Sequence, residues 1–251
     1  MNKDTVRQVV NVLALAATIV VNALANALPI NGQTTGEISD RFNVYFVPAG
    51  YVFSIWGLIY VALAAFAVYQ ALPAQRANPH LRRIGYLFAV SCLANSAWIF
   101  LWHYELFALT MVAMLVLLLS LLAIYLRLSI GRARVSVAQR WLVHVPFSIY
   151  LGWITVATIA NATSLLYHLG WGGWGIPPAV WAVIMLVVGA VITVGVALTR
   201  ADVAYALVIV WAFAGIAVRH AGMPLVAVTA ALMAVVVLVA VAVVLLRRRR
   251  R

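Results

Sequence analysis

An all-α, polytopic bundle of membrane-crossing helices is the fold this sequence predicts, and three observations predict it. Of its 251 residues, 67% are hydrophobic and 9% charged, against about 45–50% and about 25% in an ordinary soluble domain. The apolar residues come in long blocks, most of them near the roughly 20 residues that cross a bilayer core. Pro, Gly and charge clusters punctuate the blocks. The chain is therefore expected to be an integral membrane protein with eight transmembrane helices in total.

The eight blocks run at residues 8–28, 50–72, 84–102, 106–126, 141–165, 177–198, 203–218 and 223–246. The first, from Val9 to Leu28, exceeds the h-region of a signal peptide, about 7–15 residues, so it is expected to remain as a helix. The seventh is the shortest, and local thinning of the bilayer accommodates it. Orientation follows from the basic residues in the short connections. Fifteen of the 17 fall on one side, namely Lys3, Arg7, Arg76, Arg82, Arg83, Arg127, Arg132, Arg134, Arg140, Arg200 and Arg247–Arg251. Arg41 and Arg219 fall on the other. This bias predicts that both termini face the cytoplasm; a bacterial cell membrane is the expected location. Glu37, Asp40, His103, Glu105 and His168 then face outward. Residues 29–49 form the one long outer connection; its NGQTTGEISD run is rich in turn formers, and loops of that length commonly serve as lids.

The formal net charge of +12 does not predict nucleic-acid binding. Basic residues flank apolar blocks and end the chain, and no basic face is interleaved with aromatics. They read instead as anchors that meet anionic membrane lipid. Cys92 is the only cysteine, which excludes a disulfide framework and a Cys-based metal site; it reads as a small core residue. The five histidines, His80, His103, His144, His168 and His220, are scattered over both sides with no i, i+4 pair, so no metal site is predicted. His144 reads as a boundary residue. Trp171 and Trp174, in the Gly170–Gly175 run, read as interfacial anchors.

Polar and large aromatic residues recur on stripes inside the blocks. The first block carries Asn11, Asn22 and Asn26. The second carries Phe53, Trp56 and Tyr60 at i, i+3, i+7, and the third Asn95, Trp98 and Trp102 at the same spacing. The fifth carries Tyr150, Trp153, Ala157 and Asn161. Trp56 lies about eight residues past Pro48, roughly 12 Å along a helix, too deep for the aromatic belt at the membrane boundary. Asn22, Asn26, Asn95, Trp98 and Asn161 share its outer half, with Trp153 close to the midplane. A single amide in such a helix often only bridges neighbours. Four stripes at one depth predict a cavity beneath the long loop, apolar with a few convergent polar groups, as small-molecule sites are.

Three of these segments resemble the TspO/translocator-protein family, the tryptophan-rich sensory proteins. PAGYVFSIWGLIYVALAAFAVY, from Pro48 to Tyr69, is similar to that family's second helix. LANSAWIFLWH, from Leu93 to His103, resembles the third, and YLGWITVATIAN, from Tyr150 to Asn161, the fifth. The resemblance covers roughly residues 8–168. Two departures stand out: Tyr51 occupies the place of the first Trp of the second-helix motif, and Ile149 that of the Pro before the fifth-helix Tyr. The resemblance implies a five-helix domain over residues 1–168, which leaves residues 169–251 as an extension of three transmembrane helices with a basic tail and no counterpart in a five-helix family.

It also implies a receptor or sensor that binds a flat hydrophobic ligand, a porphyrin or sterol-like molecule, in a pocket capped by the first loop. Trp56, Trp98, Trp153, Asn95, Tyr60, Phe53, Tyr150, Ala157, Asn161, Asn22 and Asn26 are its expected lining, with Asn95 and Asn161 meeting polar edges. No cofactor is required; the tetrapyrrole is a ligand. Light-dependent porphyrin breakdown by pocket tryptophans comes with the resemblance alone. A transporter of a small metabolite or porphyrin precursor is the alternative, weakened by spans without the Asp, Glu or Lys that mark ion relays. No oligomeric state is implied.

Overall fold

The computed structural model describes residues 2–28 and 30–249, with side chains as far as Arg247. Pro29, at the expected start of the outer loop, and the end of the expected Arg247–Arg251 run lie outside the described residues. Helices and short turns make up the described chain, and no strand occurs among the described residues. The protein is an all-α integral membrane protein.

Helix α1 spans Lys3–Ala27, and the side chain of Asn2 caps it by accepting from the Asp4 amide. A short helix α2, Thr35–Asp40, lies in the long connection. A 3₁₀ turn at Gly50–Ser54 leads into α3, Ile55–Ala71. After the short α4, Pro79–Arg82, come α5, Leu87–His103, and α6, Phe107–Arg127. The one-turn α7, Val137–Gln139, and a π-turn over Arg140–His144 open α8, Val145–His168. The π-turn follows from Pro146: without an N–H it cannot bond the carbonyl four residues back, and its ring crowds that carbonyl. The last three helices are α9, Pro178–Arg200, α10, Val203–Arg219, and α11, Pro224–Arg249. Proline at the first position of α9 and α11 suits their starts, where an N–H would lack a partner anyway.

Six of these segments are long and apolar enough to cross a membrane; α5 and α10, at 17 residues each, are shorter. The third block was expected to begin at residue 84, but α5 starts only at Leu87. Gly85 takes a left-handed φ of 58° and turns the chain there.

Helices α1, α3, α8, α6 and α5 pack in that order as a closed ring, α5 returning to α1. Outside it, α10 lies against α8 and carries α9 and α11 on its far side. Gly152 of α8 permits this approach, since a Cβ there would stand 3.1 Å from the Tyr205 carbonyl oxygen. Cys92 is a free thiol buried in the ring core.

Candidate functional site

Inside the ring, beneath residues 35–50, lies a cavity of about 400 Å³. Two aromatic walls bound it. On one side Trp56 stacks on Tyr60 with centroids 5.5 Å apart, and meets Trp153 edge-on at 6.2 Å. Phe53 meets Trp153 edge-on at 5.7 Å, and Tyr150 backs Trp56 at 6.0 Å. On the other side α5 presents Trp98 stacked on Trp102, 5.1 Å apart and 17° from parallel. Met114 and Leu117 of α6 add apolar surface.

The amides hold these walls together. Asn22 Nδ2 donates to Asn95 Oδ1 at 2.7 Å, and Asn95 Nδ2 donates to the Tyr150 hydroxyl at 3.1 Å, linking α1, α5 and α8. Trp98 Nε1 donates to Asn161 Oδ1 at 2.9 Å, tying α5 to α8 again. Asn26 turns back onto the Asn22 carbonyl. Among hydrocarbon, polar groups satisfied by neighbouring helices fix their positions. Two groups in the wall have no such partner among the described residues: the Tyr60 hydroxyl and Trp153 Nε1, both buried. A buried donor left unpaired costs about 1–3 kcal/mol, and both belong to residues that line the cavity.

The roof is α2 and the chain on either side of it. Thr34 and Glu37 form a capping box at its start: the Thr34 hydroxyl accepts from the Glu37 amide, and the Glu37 carboxylate accepts from the Thr34 amide. The Thr34 amide and hydroxyl, both donating to the carboxylate, hold the Glu37 carboxyl below its usual range. Ile38, Phe42, Val44 and Val47 pack with Trp102 and Phe107 as a small core of their own. Trp102 Nε1 donates to the Thr35 carbonyl, and Asn31 Nδ2 to the His103 carbonyl. Two ion pairs pin the edges, Arg41 to Glu105 at 2.8 Å and Arg219 to Asp40 at 3.0 Å. The Arg41 hydrogen bond holds the Glu105 carboxyl below its usual range.

Helix α10 grips the entry to α3. Ala49 N donates to the Gly215 carbonyl, and Trp211 Nε1 to the Val52 carbonyl. Gly215 is favoured by packing: a Cβ there would collide with Val52 Cγ2. Helix α10 thus touches the very segment that carries Phe53 and Trp56.

A ring of five helices around a tryptophan-lined, roofed cavity is the arrangement the sequence resemblance implied, and a family model for TSPO-like protein matches residues 8–243. The chain belongs to the TSPO-like protein family. No curated protein and no solved structure gives a significant match. The match continues well past residue 168, where the resemblance was expected to end, so α9, α10 and α11 as far as residue 243 lie within the stretch this TSPO-like chain shares with its family.

Of the eleven predicted lining residues, ten border the cavity: Asn22, Asn26, Phe53, Trp56, Tyr60, Asn95, Trp98, Trp153, Ala157 and Asn161. Tyr150 stands one layer behind, holding Asn95 and Trp56. The amides expected to meet ligand edges, Asn95 and Asn161, are occupied by helix-to-helix bonds instead. Asn11, on the same predicted stripe, is buried but does not border the cavity. The sequence reading left out Trp102, although it shares the Asn95–Trp98 stripe, and nothing in it linked Asp40 to Arg219. Scattered as they are in sequence, His80 and His144 meet, Nε2 to Nε2 at 2.9 Å. His144 is buried there. Trp171 and Trp174 cluster with Trp181 beyond the cavity wall.

Proposed function

We propose that this TSPO-like protein is a membrane receptor or sensor for a flat, hydrophobic, aromatic ligand of the tetrapyrrole class, held in the roofed cavity. The observation that carries this reading is a cavity lined by Phe53, Trp56, Tyr60, Trp98, Trp102 and Trp153, two of which, Tyr60 and Trp153, carry buried donors with no partner among the described residues. Trp56 and Trp153 on one side and Trp98 and Trp102 on the other offer faces and edges to a macrocycle. Each aromatic pair adds about 0.5–1.5 kcal/mol beyond the area it buries. The two donors suit a carboxylate or carbonyl at the ligand's edge. The roof encloses the ligand, and its ion pairs to the α5–α6 turn and to α10 offer a route by which occupancy reaches the rest of the bundle. The bias of the basic residues supports a roof on the outer side and both termini in the cytoplasm.

The test is titration of the detergent-purified protein with a dicarboxylate porphyrin, read by quenching of tryptophan fluorescence. Saturable quenching is expected, and the Trp56→Ala, Trp153→Ala double variant should bind at least about tenfold more weakly, one factor of ten per 1.4 kcal/mol. Unchanged affinity in that variant would overturn the proposal. Porphyrin uptake into proteoliposomes, driven by the protein, would replace receptor by transporter.

A further inference from the structure

A second, larger cavity lies outside the ring and has no part in the reading above. It measures about 700 Å³ and opens where α3 and α8 meet α10, toward the end of the bundle that carries the arginine-rich connections. Leu58, Ile149, Leu207 and Val208 give it apolar walls. Leu58, Leu207 and Trp211 are also exposed on the outer surface of the bundle, so the slot opens sideways toward lipid. At its other end stand Ser148, Asp202, His144 and Arg140.

The charges at that end are not equivalent. Asp202 is buried and served from within: its Oδ2 accepts from the Tyr125 hydroxyl at 2.9 Å and from Ser148 at 2.6 Å, and its Oδ1 accepts from the Tyr205 amide. His144 spends its Nε2 on His80. Arg200 donates to the Ile130 carbonyl and lies over the Tyr125 ring. Arg140 has no carboxylate partner among the described residues, and neither do Arg132 and Arg134, which flank the lining residues Ala133 and Val135. What remains for an occupant is an apolar slot open to the bilayer with uncompensated positive charge at its mouth. Exposed Trp141 stands beside Arg140, where an aromatic suits the headgroup level.

We propose that this slot is a binding site for an anionic glycerophospholipid, one acyl chain lying between α3 and α10 and the phosphate held by Arg140 with Arg132 and Arg134. The chain chemistry follows from the lateral opening, and the headgroup from the unpaired guanidinium groups, which bind phosphate oxygens in pairs. The lipid would fill the seam between the ring and the three C-terminal helices.

Native mass spectrometry of the detergent-purified protein tests it, with phosphatidylglycerol and phosphatidylethanolamine of identical acyl chains in competition. The protein should retain one phosphatidylglycerol with at least about fivefold preference, from the roughly fivefold gain per basic residue at a membrane surface. The Arg132→Gln, Arg134→Gln, Arg140→Gln variant should lose the preference. Ala204→Phe, which narrows the slot without touching a charge, should lower retention of both lipids. Brominated phosphatidylglycerol should quench the wild-type tryptophans more than it quenches a Trp141→Phe, Trp211→Phe variant. Equal retention of the two lipids by the wild type would overturn the proposal, whatever the variants do. Displacement of the lipid by inorganic phosphate alone, or a lipid-free dimer that masks the slot, would overturn it equally.

Discussion

The five-helix ring and the three C-terminal helices are built from similar lengths of apolar helix, yet they are held together differently. Within the ring, polar side chains cross between helices: Asn22 to Asn95, Asn95 to Tyr150, Trp98 to Asn161, and Gln8 to the Gln70 carbonyl. Among α9, α10 and α11 no described side chain makes such a bond. Thr193 and Thr229 each bond a carbonyl four residues back on their own helix. These helices bury small residues instead, such as Ala182, Gly189 and Ala190 on α9 and Ala230 and Ala234 on α11, with Gly189 against the Phe213 ring of α10. Their polar contacts across helices go to the ring, through Asp202, Tyr205, Trp211 and Arg219. The comparison teaches where polarity is used. In the ring it frames a cavity; in the C-terminal unit it fastens that unit to the cavity's entry and roof.

The comparison can be broken first at Gly215. Gly215→Val drives a branched side chain into Val52 and Pro48, and overpacking of this kind costs about 1–3 kcal/mol. The expected result is a lower unfolding midpoint together with weakened porphyrin binding, although Gly215 does not border the cavity. Normal binding would separate the two units. Asn95→Leu comes next. It leaves the Tyr150 hydroxyl without its Asn95 partner and Asn22 Nδ2 with only the Thr18 carbonyl, at about 1–3 kcal/mol for a buried group left unpaired, and detergent thermal melts should show it. Thr193→Val is the control from the other region. The Gly189 carbonyl keeps its helical bond and no donor is stranded, so the melt should move by less than about 1 kcal/mol.

The smallest effect concerns pH. The Glu105 carboxyl sits below its usual range because Arg41 binds its ionised form. The pair's contribution is therefore present at neutral pH and is lost as pH falls through that lowered value. Both partners are half-exposed, which limits the pair to about 0–1 kcal/mol. The difference in melting point between wild type and Glu105→Gln should be constant from pH 7 to 5, begin to shrink near the ordinary glutamate pKa of about 4.3, and vanish only once pH has fallen through the lowered value.

Much of the ring was legible because its polar residues break an apolar background at helical spacing. Phe53, Trp56 and Tyr60 reach one wall even though Phe53 lies in a 3₁₀ turn, since the turn runs straight into α3. The role of each amide was less legible. A stripe places Asn95 on a face but does not say that Asn22 and Tyr150 have already taken its hydrogen bonds. The packing of α9–α11 left no pattern to read, because lipid-facing and helix-facing sides of those helices are equally apolar. Pairings such as His80 with His144 and Asp40 with Arg219 join residues far apart in the chain, and only the fold brings them together.

Hydrogen exchange, followed by mass spectrometry with and without a dicarboxylate porphyrin, tests the central claim most directly. The account predicts slower exchange in the roof over residues 35–54 and in the segments of α5 and α8 that carry Trp98 and Trp153, with α9 and α11 unchanged. Protection confined to α9–α11, or none in the roof and the two tryptophan segments, would contradict it.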